Sequence, residues 1–141
     1  MNSLKRFADP VYCLMRLVVG LLFACHGGQK ILGFPPVAKA MQLDTLGTVG
    51  GYIELICGFM IALGLLTSLA AFVASGMMAV AYFMVHFPNN FFPIINRGEA
   101  AVLYCFVFLF IIFYGRGRFS LDALLFRRAE TAAVPPAPSR I

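Results

Sequence analysis

The sequence predicts an all-α fold: a bundle of four transmembrane helices, both termini cytoplasmic, with a short interfacial helix near the C-terminus. Three observations predict it. Of 141 residues, 61% are hydrophobic and only 12% charged, about half the charge fraction of a soluble domain. The apolar residues fall into four runs separated by Gly- and Pro-containing connections. Seven of the eleven Lys and Arg residues (Lys5, Arg6, Arg116, Arg118, Arg127, Arg128, Arg140) lie at the two ends, where bases mark the cytoplasmic side and meet anionic headgroups.

The first run spans about Val11 to Leu32, the second Thr48 to Leu66 and the third Leu69 to Phe87. At about 1.5 Å per residue each is long enough to cross a ~30 Å hydrocarbon core. The fourth, Glu99 to Tyr114, is shorter and crosses if the bilayer thins around it or if Gly98 and Gly115 lie at its ends. The first run is too long for a signal-peptide core, contains Arg16 and lacks a small-x-small cleavage site, so it is expected to remain as an anchor.

The connections differ in kind. Gly33 to Gly47 holds Pro35 and Pro36 and then a weakly amphipathic stretch suited to the membrane surface. Thr67 and Ser68 are read as a tight turn. Pro88 to Gly98 is rich in Phe, Pro and Asn, a composition for a structured interfacial loop. Gly115 and Gly117 break the last apolar run. Ser120 then reads as an N-cap, with Asp122 at the positive end of a short helix to about Arg128. Residues 1–128 are expected to form one membrane domain, and 129–141 an Ala/Pro-rich disordered tail.

The net charge of +5 does not imply nucleic-acid binding, because the bases are not gathered on one soluble face. The four cysteines (Cys13, Cys25, Cys57, Cys105) form no CxxC pair and sit in apolar runs, as small buried hydrophobes do. Depth alone also permits Cys25 to pair with Cys105. No P-loop, GxGxxG or GxSxG motif is present.

The informative residues are ionisable groups inside the apolar runs. With both termini cytoplasmic, His26, Lys30, Glu54, His86 and Glu99 all fall in the outer half of the bilayer or at its edge. Such groups are costly in hydrocarbon, so several at one depth point to a buried polar cluster. Arg16 lies toward the cytoplasmic side. At 100° per residue, Arg16, Gly20, Phe23, Gly27 and Lys30 share one stripe. Gly47, Gly51, Glu54, Gly58 and Ile61 share a second, and Ser75, Ala79, Tyr82 and His86 a third. Stripes that mix small and polar residues are helix-packing faces, which gives Arg16 and Tyr82 a structural reading. For Glu54, Lys30 and His26 two readings stand. They form an internal ion-pair network, or they line a cavity that holds a quinone headgroup, relays protons or orients a phenol-like substrate. A bis-histidine haem on His26 and His86 is disfavoured because His86 abuts Pro88, and a di-iron site because Glu-x-x-His is absent. A faint repeat is visible: each hairpin ends one helix with a histidine and begins the next with a glutamate.

These residues resemble the DoxX family of small four-helix membrane proteins. The first-helix motif matches Arg16, Gly20, Phe23, His26, Gly27 and Lys30. The second matches Glu54, Gly58, Gly64, Leu65 and Thr67, and the N-G-G-E run appears as Asn96, Arg97, Gly98 and Glu99. Tyr104 and Ser120, Leu121 and Asp122 also fit, so the resemblance spans about Leu14 to Leu125. Arg97 stands in place of a glycine, and Ser68 where an arginine often follows the threonine. The resemblance implies a protein of the bacterial cytoplasmic (inner) membrane linked to quinone or redox systems. It would be an accessory or scaffold subunit of a larger complex, or a homo-oligomer, with no intrinsic cofactor. It would dock through the aromatic faces that carry Phe106, Phe108, Phe110 and Phe113. The alternatives are a quinone-reactive oxidoreductase subunit and a small-solute transporter.

Overall fold

Helix backbones touch only where side chains are absent, and this chain places glycines along one helix pair. The computed structural model describes residues 2–36 and 43–125. Among those residues every regular element is helical: α1 (Asn2–Lys5), α2 (Ala8–Ile31), α3 (Thr45–Leu63), α4 (Thr67–Ala81), α5 (Pro93–Asn96) and α6 (Glu99–Tyr114). A π-turn, Tyr82–His86, prolongs α4. Residues 121–125 are helical as well. Three helical runs are long and apolar enough to cross a membrane: Ala8–Ile31, Thr45–Leu63 and Thr67–His86. The 16 residues of α6 are apolar but shorter, about 24 Å at 1.5 Å per residue.

α2 packs on α3 through four glycines. A Cβ on Gly20 would stand 2.5 Å from the Ala62 nitrogen, and one on Gly58 would stand 2.5 Å from the Ala24 nitrogen. A Cβ on Gly27 would collide with the Leu55 backbone nitrogen, and one on Gly51 with the Ile31 side chain. Small residues permit this approach where lipid supplies no hydrophobic drive between helices. Gly47 departs from its stripe. Its N–H instead bonds the Asp44 carboxylate, the N-cap of α3, at 2.7 Å. α4 packs on α6, where Ser75 Oγ donates to the Cys105 carbonyl at 2.9 Å. The space between α2 and α6 is filled by rings: Phe23 meets Phe108 at 4.7 Å and Tyr104 at 5.2 Å between centroids. Phe23, Ile61, Phe108 and Ile111 are the buried centre.

Phe108 was expected on an outward docking face. It is fully buried, whereas Phe106, Phe110 and Phe113 are exposed. The reason is rotational: Phe108 shares its face with Tyr104, one turn away, and both meet Phe23. The four cysteines are free thiols, with Cys25 exposed and Cys105 half-buried.

The turn between α3 and α4 is at Gly64–Leu66, not at Thr67–Ser68, which open α4. Gly64 is left-handed (φ 72°), and a Cβ there would collide with the Arg16 guanidinium. Leu66 is also left-handed, at φ 45°. What makes this turn is a carboxylate from far along the chain. Asp122 accepts from the backbone N–H groups of Leu66 (2.9 Å) and Thr67 (3.1 Å) and from the Thr67 hydroxyl (3.1 Å). It therefore caps α4, in addition to lying in the first turn after Ser120. Ser120 caps as expected, accepting from the Ala123 N–H at 3.1 Å.

Arg16 lies 2% exposed at the same end. It donates to the Ile61 carbonyl near the C-terminus of α3 (3.1 Å) and to the Phe119 carbonyl (2.6 Å). A cation at a helix C-terminus meets the negative end of the dipole. Tyr12 donates to the Gly115 carbonyl at 2.5 Å and stacks on Tyr114. Residues 115–122 thus tie the ends of α2, α3, α4 and α6 together. The surface stretch with Lys39 falls partly at 37–42, and the expected helix beyond 125 and the tail at 129–141 follow; these lie outside the described residues.

Candidate functional site

The opposite end of the bundle holds the ionisable cluster. Lys30 is in the last turn of α2, and Glu54 is in the tenth position of α3. The Gly27 and Gly51 contacts bring these two turns together. Lys30 Nζ donates to Glu54 Oε1 at 2.6 Å, with the Glu54 side chain only 5% exposed and that of Lys30 26%. The second oxygen, Oε2, is buried and has no hydrogen-bond partner among the described residues. A buried acceptor left unmade costs about 1–3 kcal/mol, so this oxygen marks where a donor is wanted.

His26, Lys30, Glu54 and His86 line one cavity of about 230 Å³ together with Phe23 and Tyr104. His26 is exposed and stands at its mouth, with its ring edge-on to Tyr104 at 6.0 Å. His86 arrives by the π-turn, where the Phe87 N–H bonds the Tyr82 carbonyl at 2.9 Å. π-turns inside helices occur often at functional sites. The His86 Nδ1 lies 3.1 Å from the Asn96 carbonyl. A carbonyl can only accept, so Nδ1 carries the proton.

The loop between α4 and α6 is ordered, as its composition predicts. The buried Asn96 donates to the Asn90 carbonyl at 2.7 Å and accepts from the Gly98 N–H at 2.7 Å. The Tyr82 hydroxyl donates to the Phe91 carbonyl at 2.6 Å. Tyr82 therefore shapes the loop and does not line the cavity. Arg97 is left-handed, φ 60°, which explains why a glycine suits that position.

Glu99 does not join the cluster. It is exposed and outside the cavity lining, whereas Ala100, Ala101 and Tyr104 of the same helix line it. Its depth matches, but at 100° per residue it points about 150° away from that face. Tyr104 lines the cavity, a role that its motif position alone does not predict. The signal available was a hydroxyl-bearing ring in the middle of an apolar helix.

A second space adjoins the first. A largely apolar groove of about 540 Å³ runs between α3 and α4, and Lys30, Asp44 and Glu54 are its charged lining residues. The ion pair thus lines both the small cavity and the longer groove.

Residues 11–87 match the DoxX family. An uncharacterized protein of Haemophilus influenzae is 38% identical across 91% of this chain and 100% of its own length. An uncharacterized membrane protein of Mycobacterium tuberculosis is 29% identical across 85% of this chain and 84% of its own. No solved structure matches. Three helical runs are apolar and long enough to cross a membrane, and the chain belongs to the DoxX family.

Proposed function

We propose that this protein is an accessory subunit of a quinone-linked assembly in the bacterial cytoplasmic membrane, and that its contribution is to hold a quinone headgroup in the Glu54 cavity. The supporting observation is the unpartnered Glu54 Oε2 beside a 230 Å³ space. That volume is below the range for drug-sized ligands and suits a single ring. Lys30 and Tyr104 offer donors to a carbonyl oxygen, and Glu54 Oε2 accepts from a ring hydroxyl. Both the oxidised and the reduced headgroup thus find partners. Electron transfer belongs to the partner in this reading.

α6 serves as the fourth span, and both termini face the cytoplasm. The end that carries Arg16 also carries Lys5, Arg6, Arg116 and Arg118, which favours that orientation. Leu103, Phe106, Phe110 and Phe113 are all exposed on α6 at helical spacing, a stripe fit for a partner's helix. The test is to extract the protein with its native lipid and quantify co-extracted quinone. Wild type retains quinone; Glu54→Gln and Lys30→Met lose it while far-ultraviolet circular dichroism is unchanged. Equal retention by all three refutes the assignment.

A further inference from the structure

Arg16 is a buried cation without an anion beside it. It is 2% exposed, and its hydrogen bonds run to neutral backbone carbonyls, Ile61 at 3.1 Å and Phe119 at 2.6 Å. Its Nε is buried and has no partner among the described residues. The ion pairs among those residues are Lys30–Glu54 and Arg118–Asp9. Asp122, the carboxylate of the same corner, gives its oxygens to Leu66 and Thr67 instead. A guanidinium cannot escape burial by shedding its proton, as an amine or a carboxyl can by changing its protonation. The dipole of α3 offsets about half a charge. An anion at Arg16 would supply the rest.

A notch of about 400 Å³ lies there, and Arg16 is its charged lining residue. Its walls include Leu14 and Leu17 of α2, Leu63 at the end of α3, and Phe119, all of them exposed. A cation set among exposed apolar side chains on membrane-length helices matches an amphiphile. The depth matches as well: Ile61, which accepts from Arg16, is in the last turn of α3, where that apolar run ends. Exposed bases Lys5, Arg6 and Arg118 stand at the same end, and such bases concentrate anionic lipid.

We infer that this notch is a binding site for an anionic phospholipid, with its phosphodiester against the Arg16 guanidinium and the first carbons of its chains along Leu14, Leu17 and Leu63. Guanidinium and phosphate form short, charge-assisted hydrogen bonds. Size favours a lipid head over a small ion, since a bare carboxylate or phosphate fills only a fraction of 400 Å³. Bound there, the lipid neutralises the cation that joins α2 to α3 and to the segment at Phe119. The site is at the far end of the bundle from Glu54 and is independent of the quinone reading.

The experiment is native mass spectrometry of the full chain in detergent, titrated with dioleoyl phosphatidylglycerol, dioleoyl phosphatidylcholine, oleate and inorganic phosphate. Wild type is expected to bind the first phosphatidylglycerol about tenfold more tightly than phosphatidylcholine, whose chains are the same. Leu14→Trp and Leu17→Trp enlarge rim positions that are already exposed, so the fold is kept, and each should reduce that preference to within about twofold. Arg16→Gln should do the same; it also frees two carbonyls at the corner, so the rim variants keep the test independent of folding. The triple variant Lys5→Gln, Arg6→Gln, Arg118→Gln should retain most of the preference. If the triple variant abolishes the preference and the rim variants leave it intact, diffuse surface charge attracts the lipid and the notch is overturned. No preference in wild type overturns it as well. Oleate or inorganic phosphate binding as tightly as phosphatidylglycerol would make this a site for a simple anion and overturn the lipid assignment.

Discussion

Gly27→Ala adds one methyl group and should unfasten the candidate site. The new Cβ would stand 2.5 Å from the Gly51 carbonyl oxygen and 2.8 Å from the Leu55 Cα, where ordinary contact begins at 3.4 Å. Both obstacles are backbone, so neither can rotate aside. The helices must separate by about 1 Å, which stretches the 2.6 Å Lys30–Glu54 contact to roughly 3.5 Å, past the hydrogen-bond range. Overpacking costs about 1–3 kcal/mol, and the better helix propensity of Ala returns up to about 1 kcal/mol. The net expectation is a loss of about 1–2 kcal/mol. Gly76→Ala is the matched control. Its methyl meets no atom within 4 Å, so only the propensity gain of about 0.5–1 kcal/mol remains. The two variants should therefore differ by about 1.5–3 kcal/mol and in opposite directions from wild type. Unfolding in mixed micelles with rising dodecyl sulfate, followed by far-ultraviolet circular dichroism, reads the difference. Gly27→Ala should also lose retained quinone. Equal midpoints for Gly27→Ala and Gly76→Ala would refute the close-approach argument.

Further outcomes follow from the polar contacts. Asp122→Ala removes three bonds at the start of α4 and should cost about 2–3 kcal/mol, since bonds to a charged acceptor exceed neutral ones; faster hydrogen exchange at Leu66 and Thr67 would localise the effect. Arg97→Gly relieves a left-handed non-glycine residue and should raise stability by up to about 1 kcal/mol in the same unfolding assay. Lys30→Met leaves the Glu54 carboxylate buried without its counter-charge and should cost about 3–5 kcal/mol. The double variant Lys30→Met with Glu54→Gln should recover part of that loss, and strict additivity in the cycle would show that the pair does not interact.

Much of the architecture was legible because lipid imposes simple demands. Apolar runs of sufficient length became α2, α3 and α4 with its π-turn, and the seven-residue spacing of Gly20 and Gly27 opposite Gly51 and Gly58 marked the tight interface. The Lys30–Glu54 pairing also followed from depth and stripe. Depth without rotation was the weak point. It placed Glu99 in the cluster although its neighbours Ala100 and Ala101 face the cavity, and it set Phe108 outward although it is buried against Phe23. The turn at Gly64–Leu66 was misplaced for a different reason. Its cap is contributed by Asp122, a long-range contact that local turn chemistry does not encode.

The Asp122 cap also carries a lesson about birth order. Thr67 leaves the ribosome 55 residues ahead of the carboxylate that secures it. The α3–α4 hairpin is thus made with its corner unlatched, and the guanidinium of Arg16 waits longer still, 103 residues, for the Phe119 carbonyl. Closure waits for residues 115–122, so a stop or a proteolytic cut between 114 and 122 would leave the apolar helices intact and the corner still undone.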